Sequence, residues 1–157
     1  MRQSLSKNSE AATLRASGGP RAALILVLIA LIASALMFAV TVIDQTGTQD
    51  LYGFTDAAYA AHGVIPDPSL VYGILYGVAI TITLIWAVML LAVKLRGWWP
   101  AALSAVATLI TGILAILVLT ATEYGERVFS PVWGLIAIVP TILGVVATVL
   151  LAREARR

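Results

Sequence analysis

Side chains that could do chemistry are few in this sequence, and the densest group surrounds its single histidine. His62 lies within six residues of Asp56, Tyr59 and Asp67 along the chain. An imidazole beside carboxylates could ligate a metal or accept a proton. The other reading is a solvated histidine in a polar segment, which needs no ligand. The chain has no cysteine, so thiolate chemistry and cysteine metal sites are excluded. We predict no catalytic residue, metal or cofactor.

Two further acids, Asp44 and Glu123, each follow a long apolar run, with a threonine three residues before them. At the C-terminal end of a helix the dipole slightly disfavours negative charge, which invites a functional explanation. The pair could form an acidic mouth that attracts cations or a basic partner segment. The alternative is that both carboxylates are fully hydrated and only oppose insertion in the wrong direction. The residues alone leave both readings open.

Four apolar stretches must position these side chains. With 61% hydrophobic and 11% charged residues, the chain is too apolar for an ordinary water-soluble domain. Each stretch reaches the roughly 20 residues that an α-helix needs to cross a bilayer. The sequence therefore predicts an all-α integral membrane protein, a four-transmembrane-helix bundle. We predict a disordered cytoplasmic tail at 1–20, a transmembrane domain at 21–153 and a basic cytoplasmic tail at 154–157. Within the transmembrane domain the helices are expected at about 22–43, 70–93, 100–122 and 132–152, with an outer loop at 44–69.

Proline and glycine mark several helix ends. Asp67-Pro68 and Ser130-Pro131 each predict an N-cap followed by proline at the first helical position. Inside the loop at 44–69, Thr55 could cap a short helix that Gly63 ends. A signal peptide is the competing interpretation of the N-terminal region, but the apolar run continues to Ile43, which is too long for one.

The basic residues predict the orientation, because Lys and Arg near helix ends stay on the cytoplasmic side. Arg127 alone falls on one side of the predicted bundle. The opposite side carries Arg2, Lys7, Arg15, Arg21, Lys94, Arg96, Arg153, Arg156 and Arg157. We expect both termini in the cytoplasm and a multi-pass protein of the plasma (inner) membrane, in a bacterial cell by composition. The basic residues do not form a patch interleaved with aromatics, so nucleic acid is not an expected partner.

Small residues at four-residue spacing predict where the helices touch, since close packing drives helix association in lipid. They are Gly73, Gly77 and Thr81 in the second helix, Ser104, Thr108 and Gly112 in the third, and Pro140, Gly144 and Thr148 in the fourth. The Gly73–Gly77 pair could serve the bundle or a second copy, and we favour the bundle. Pro140 predicts a bend whose freed carbonyl finds a partner such as the Thr141 hydroxyl. Trp86 is expected to pack against the third helix and to donate to a hydroxyl or carbonyl.

A weak internal repeat relates the two halves of the chain. Tyr72-Gly73 near the start of the second helix matches Trp133-Gly134 in the fourth. If the halves are duplicated hairpins, the repeat is parallel, with its axis along the membrane normal. Each aromatic would then lie at the lipid interface beside a glycine that allows close helix approach.

No ionisable residue lies in the central part of any predicted helix, which disfavours ion-coupled transport. We expect a non-enzymatic accessory or assembly subunit that contacts another membrane protein, or itself, through its helix seams and acidic loop. The alternative is a small oligomeric transporter or pore for an uncharged or lipophilic solute. The residues expected to contact a partner or solute are Asp44, Asp56, His62, Asp67, Tyr72, Gly73, Gly77, Glu123, Trp133 and Pro140.

Overall fold

The computed structural model describes residues 18–156, with side chains from residue 21 onward. Most of the predicted N-terminal tail lies outside the described residues. Within these residues the elements are, in order, α1 (Gly18–Thr46), α2 (Asp50–Ala60), α3 (Pro68–Ala92), α4 (Trp99–Thr120), a small hairpin of β1 (Thr122–Glu123) and β2 (Glu126–Arg127), and α5 (Pro131–Ala155). The helices α1, α3, α4 and α5 are long and apolar enough to cross a membrane. The prediction of a multi-pass membrane protein built from four packed helices is confirmed.

The four long helices form a ring in which α1 and α4 each pack against both α3 and α5. Their buried positions recur alternately every three and four residues, as in the series of α1: Ala23, Val27, Ala30, Ser34, Met37, Thr41 and Asp44. This average spacing of about 3.5 residues keeps one face of each helix toward its neighbours, as in left-handed bundles. The buried hydroxyls of Ser34 and Thr41 bond to the carbonyl oxygens of Ala30 and Met37 in their own helix, at 2.7 and 2.9 Å.

The helix bounds differ by a few residues from those predicted. The first helix extends to Thr46 rather than 43, and α5 continues through Arg153 to Ala155. Hydropathy stops at the first charged residue, whereas backbone hydrogen bonding continues past it. The N-cap at Asp67 is confirmed, because its carboxylate accepts from the Ser69 backbone N–H at 2.8 Å. Ser130 is also an N-cap, although its side chain makes no capping bond.

One end of the bundle is covered by a structure that we call the roof, comprising residues 47–67 and 122–129. Thr55 lies in the middle of α2 rather than at its start, so its predicted capping role is wrong. The helix begins earlier because Asp44 bonds to its first N–H groups. The hairpin turns at Tyr124 and Gly125, which have φ of 55° and 85°, as a two-residue hairpin loop requires.

Pro140 and Trp86 lie at the centre of the bundle. Both are fully buried, and α5 is one continuous helix through Pro140. The Thr141 hydroxyl donates to Thr111 Oγ1 at 3.2 Å rather than to a carbonyl freed by the proline. We expected Trp86 to pack against α4, and its ring also reaches across the bundle to Gly144 of α5. Its indole N–H finds no hydrogen-bond acceptor among the described residues.

Candidate functional site

Asp44 is a buried structural junction. Its carboxylate accepts four hydrogen bonds: from Thr48 Oγ1 (3.1 Å) and the Asp50 N–H (3.0 Å) on one oxygen, and from the Leu51 N–H (3.1 Å) and Tyr72 hydroxyl (2.8 Å) on the other. A carboxylate offers about four acceptor sites, and all of them are used. For Asp44 the reading of a fully hydrated carboxylate is wrong, since the residue is buried. The other reading, an acidic mouth, also loses support at Asp44, because these bonds occupy its acceptor sites.

These bonds explain how α2 begins without a local cap. Its N-cap residue, Gln49, has a left-handed backbone and makes no side-chain capping bond. The exposed N–H groups at a helix start need acceptors and favour negative charge. Asp44 supplies both from the end of α1, and the Tyr72 hydroxyl adds a link to α3. No short motif encodes this arrangement, because the cap lies six residues before the helix start.

Tyr72 and Trp133 are both buried in the bundle rather than lying at a lipid interface as predicted. The glycines beside them also differ. A Cβ on Gly134 would lie 2.7 Å from the Leu119 backbone of α4, whereas none of the described residues comes within 4 Å of a Cβ on Gly73. The two halves therefore pack unequally at the matching positions, and the duplication stays a prediction.

His62 belongs to an aromatic contact between α2 and the hairpin. The imidazole ring stacks on the Tyr124 ring, with centroids 4.6 Å apart. The Tyr59 ring meets the Tyr124 ring edge-on, with centroids 5.6 Å apart. The Tyr59 hydroxyl donates to Glu123. That hydrogen bond, with partial burial, raises the pKa of Tyr59 to about 12. Within residues 18–156, no three His, Asp or Glu side chains are grouped to hold a metal.

The remaining two predicted acids, Asp67 and Asp56, are not members of this contact. Asp67 is exposed, and hydrogen bonds from the Ser69 hydroxyl and backbone N–H lower the pKa of its carboxyl. Asp56 is half-buried on α2. Among the predicted acids and His62, Asp44 thus forms a junction, Asp67 caps α3, and Glu123 and His62 belong to the aromatic contact.

The contact between α4 and α5 is built from glycines and hydroxyls. Ser104 Oγ and Thr148 Oγ1 lie 2.8 Å apart across it. A Cβ on Gly144 would lie 2.5 Å from Thr108 Oγ1 and 2.7 Å from Trp86 Cζ2, so only glycine fits there without a shift. The predicted seam residues of the third and fourth helices are confirmed.

The small residues of α3 lie on its other face. Gly73, Gly77 and Thr81 are all exposed, and no atom of residues 18–156 lies within 4 Å of a Cβ built on either glycine. The Thr81 hydroxyl bonds back to the Gly77 carbonyl at 2.7 Å. The expectation that this pair serves the bundle is wrong, because α3 buries the opposite face through residues such as Leu75, Ala79 and Ile82.

A cavity of about 570 Å³ separates α3 from α4 beneath the roof. Its walls are Val71, Ile74 and Val78 of α3 with Leu114, Leu117 and Val118 of α4. Thr55, Tyr59, Asp67 and Glu123 line its roof end. A second recess of about 300 Å³ lies farther along the same two helices and has apolar lining residues throughout. Sequence reasoning missed both, because branched aliphatic residues on a membrane helix look the same whether they face lipid or a cavity.

Comparison of the chain with protein-family models, with curated proteins and with solved structures finds no match.

Proposed function

We propose that this protein is a non-enzymatic accessory subunit of the plasma membrane that packs against a transmembrane helix of another membrane protein. The docking surface is the exposed face of α3 at Gly73, Gly77 and Thr81, which we call the glycine face. We further propose that both termini are cytoplasmic, so that the roof faces the exterior or periplasm.

The observation that carries the proposal is the open space beside Gly73 and Gly77. Two glycines four residues apart let another helix backbone approach closely, which is the main source of helix association where lipid removes the hydrophobic driving force. The bundle gains nothing from these glycines, since they face away from it. Glycine in a helix interior is also disfavoured by about 0.5–1 kcal/mol relative to alanine, and a partner helix would offset that loss.

The roof adds a charge that suits a basic partner segment. It carries Asp50, Asp56, Asp67, Glu123 and Glu126 against one arginine, Arg127. Exposed charge of one sign steers an oppositely charged partner and sets its register. A pore through a single copy is a poorer alternative, because Trp86, Met37 and Ile82 fill the centre of the bundle.

Photocrosslinking tests the docking surface. A photoreactive residue at Leu84, which is exposed beside the glycine face, should yield a crosslink to a different membrane protein in cells. Gly77→Leu should lower the yield about tenfold, the effect of roughly 1.4 kcal/mol of lost packing. Ala39→Leu on exposed α1 is the matched control and should leave the yield unchanged. Equal yields in both variants, or a product containing this chain alone, would contradict the proposal.

Single cysteines test the orientation, because the natural chain has none. Ala60→Cys places a thiol on the exposed end of α2, and Ala155→Cys places one at the end of α5. A membrane-impermeant maleimide added to intact cells should label the first and not the second. The reverse pattern would overturn the orientation while leaving the docking surface untouched.

A further inference from the structure

We propose that the cavity between α3 and α4 binds an amphiphile with an aliphatic tail and a cationic amine head, drawn from the surrounding bilayer. The tail lies between the two helices and the amine lies at the roof end. This site is separate from the glycine face of α3 and does not depend on a protein partner.

The size and walls of the cavity suit an aliphatic tail. About 570 Å³ lies within the roughly 300–1,000 Å³ typical of small-molecule sites. Its walls are branched aliphatic side chains along the stretches of α3 and α4 that are long and apolar enough to span a membrane. Leu70 and Leu117 line it and are 63% and 57% exposed, so the cavity opens sideways onto the bundle surface, where a lipid tail can enter.

The polar end of the cavity selects the head group by charge. Asp67 and Glu123 are both lining residues, and no basic residue lines the cavity among the described residues. Asp67 also accepts from Ser69, and Glu123 from Tyr59. The Thr55 hydroxyl is turned to backbone oxygens, with Val128 O at 2.8 Å. An ammonium group would meet two acidic neighbours and hydrogen-bond acceptors, whereas a sulfate or phosphate would meet like charge.

The second recess along the same helices provides an internal contrast. It is lined by residues such as Val88, Leu103 and Val106, and none of the described residues that line it carries a charge or a hydroxyl group. It can accept a hydrocarbon chain but has no group that distinguishes one head from another. Selectivity for a cationic head therefore assigns binding to the cavity beneath the roof.

Binding of dodecylamine to the full chain in phosphatidylcholine nanodiscs tests the proposal. We expect saturable binding above that of empty nanodiscs, with one molecule per chain and no competition from dodecyl sulfate. The double variant Asp67→Asn, Glu123→Gln should weaken it about tenfold. Asparagine still caps a helix, and glutamine still accepts from Tyr59, so thermal unfolding should change little.

A matched pair of bulky variants locates the site. Leu117→Trp fills the cavity beneath the roof and should abolish saturable binding, whereas Val106→Trp fills the second recess and should not; both residues are more than half exposed. The proposal would be overturned if both variants bound dodecylamine equally well, or if both lost binding. It would also be overturned if the natural chain bound dodecylamine and uncharged dodecanol equally. Full dodecylamine binding by the charge-neutralised double variant would overturn it as well.

Discussion

The seams α4–α5 and α3–α4 join neighbouring helices of one ring but are built differently. In the first, Gly134 and Gly144 bring α5 into close contact with α4 and Trp86, and hydroxyl pairs cross the gap. In the second, branched aliphatic side chains hold the helices apart around a cavity. The glycines of α3 face away from both seams. Small-residue spacing thus identifies a face suited to close contact, but it does not say whether that face belongs to the chain's own bundle.

The roof joins the two sides of the α3–α4 seam, which we call the open seam because a cavity separates its helices. The Thr55 hydroxyl of α2 donates to the Val128 carbonyl at 2.8 Å, and Tyr59 donates to Glu123 of the hairpin. At its other end α2 is attached to α1 and α3 through Asp44. The open seam is therefore bridged by polar contacts at one end rather than closed by packing along its length.

The largest expected effect on the free energy of unfolding is at the α4–α5 seam, which we call the closed seam. Gly144→Ala places a methyl group 2.5 Å from Thr108 Oγ1 and 2.7 Å from Trp86 Cζ2. Overpacking of this kind lowers the free energy of unfolding by about 1–3 kcal/mol. Reversible unfolding in mixed micelles measures it, with Gly112→Ala as a milder control because its nearest neighbour, Thr141 Cγ2, lies 3.2 Å from the added Cβ. Equal loss at both positions would show that the seam relaxes freely.

A smaller loss is expected from the hydroxyl pairs. Thr148→Val removes the contact with Ser104 Oγ at 2.8 Å. Hydrogen bonds between membrane helices contribute about 0.6 kcal/mol on average and up to about 1.7. Thr83→Val is the control, because the Thr83 hydroxyl bonds only to the Ala79 carbonyl of its own helix. A greater loss from the control than from Thr148→Val would contradict a polar contribution to the closed seam.

On the glycine face of α3, adding a methyl group should change the free energy of unfolding in the opposite direction. The Cβ added by Gly77→Ala meets no atom within 4 Å in the part of the chain that the structure describes, and alanine stabilises a helix interior by about 0.5–1 kcal/mol relative to glycine. We expect the free energy of unfolding of the isolated chain to rise slightly. A clear decrease would mean that Gly77 packs inside the bundle, which would remove the contrast between the two regions.

The weakest effect is confined to the roof at high pH. The pKa of Tyr59 is raised from 10.0 to about 12 in the folded chain, so the folded state holds this proton more tightly than the unfolded state. The stabilising contribution is present below pH 10 and is lost as the pH rises toward 12. Hydrogen exchange of α2 amides, measured relative to the exchange rate of an unstructured chain at the same pH, should therefore accelerate over this range, and Tyr59→Phe should remove that step. An unchanged step in the variant would assign it to another group.

The sequence was sufficient for those features that depend on local composition. Hydropathy located the four long helices, and Asp67-Pro68 marked the start of α3. It was insufficient for the faces of α3, because that helix is apolar all round; its orientation depends on its neighbours. The role of Asp44 was missed because the interpretation began the roof helix at Thr55, five residues after its start at Asp50.

The hydrogen bonds of Asp44 also set an order for the assembly of the roof during synthesis. Its bonds to Asp50 and Leu51 span six and seven residues, and its bond to Tyr72 spans 28. The bonds from Thr55 to Val128 and from Tyr59 to Glu123 span 73 and 64 residues. Short loops close at a smaller entropic cost and emerge earlier from the ribosome. We expect α2 to attach first to α1 and α3. The bridge across the open seam should form only after α4 and α5 have entered the membrane.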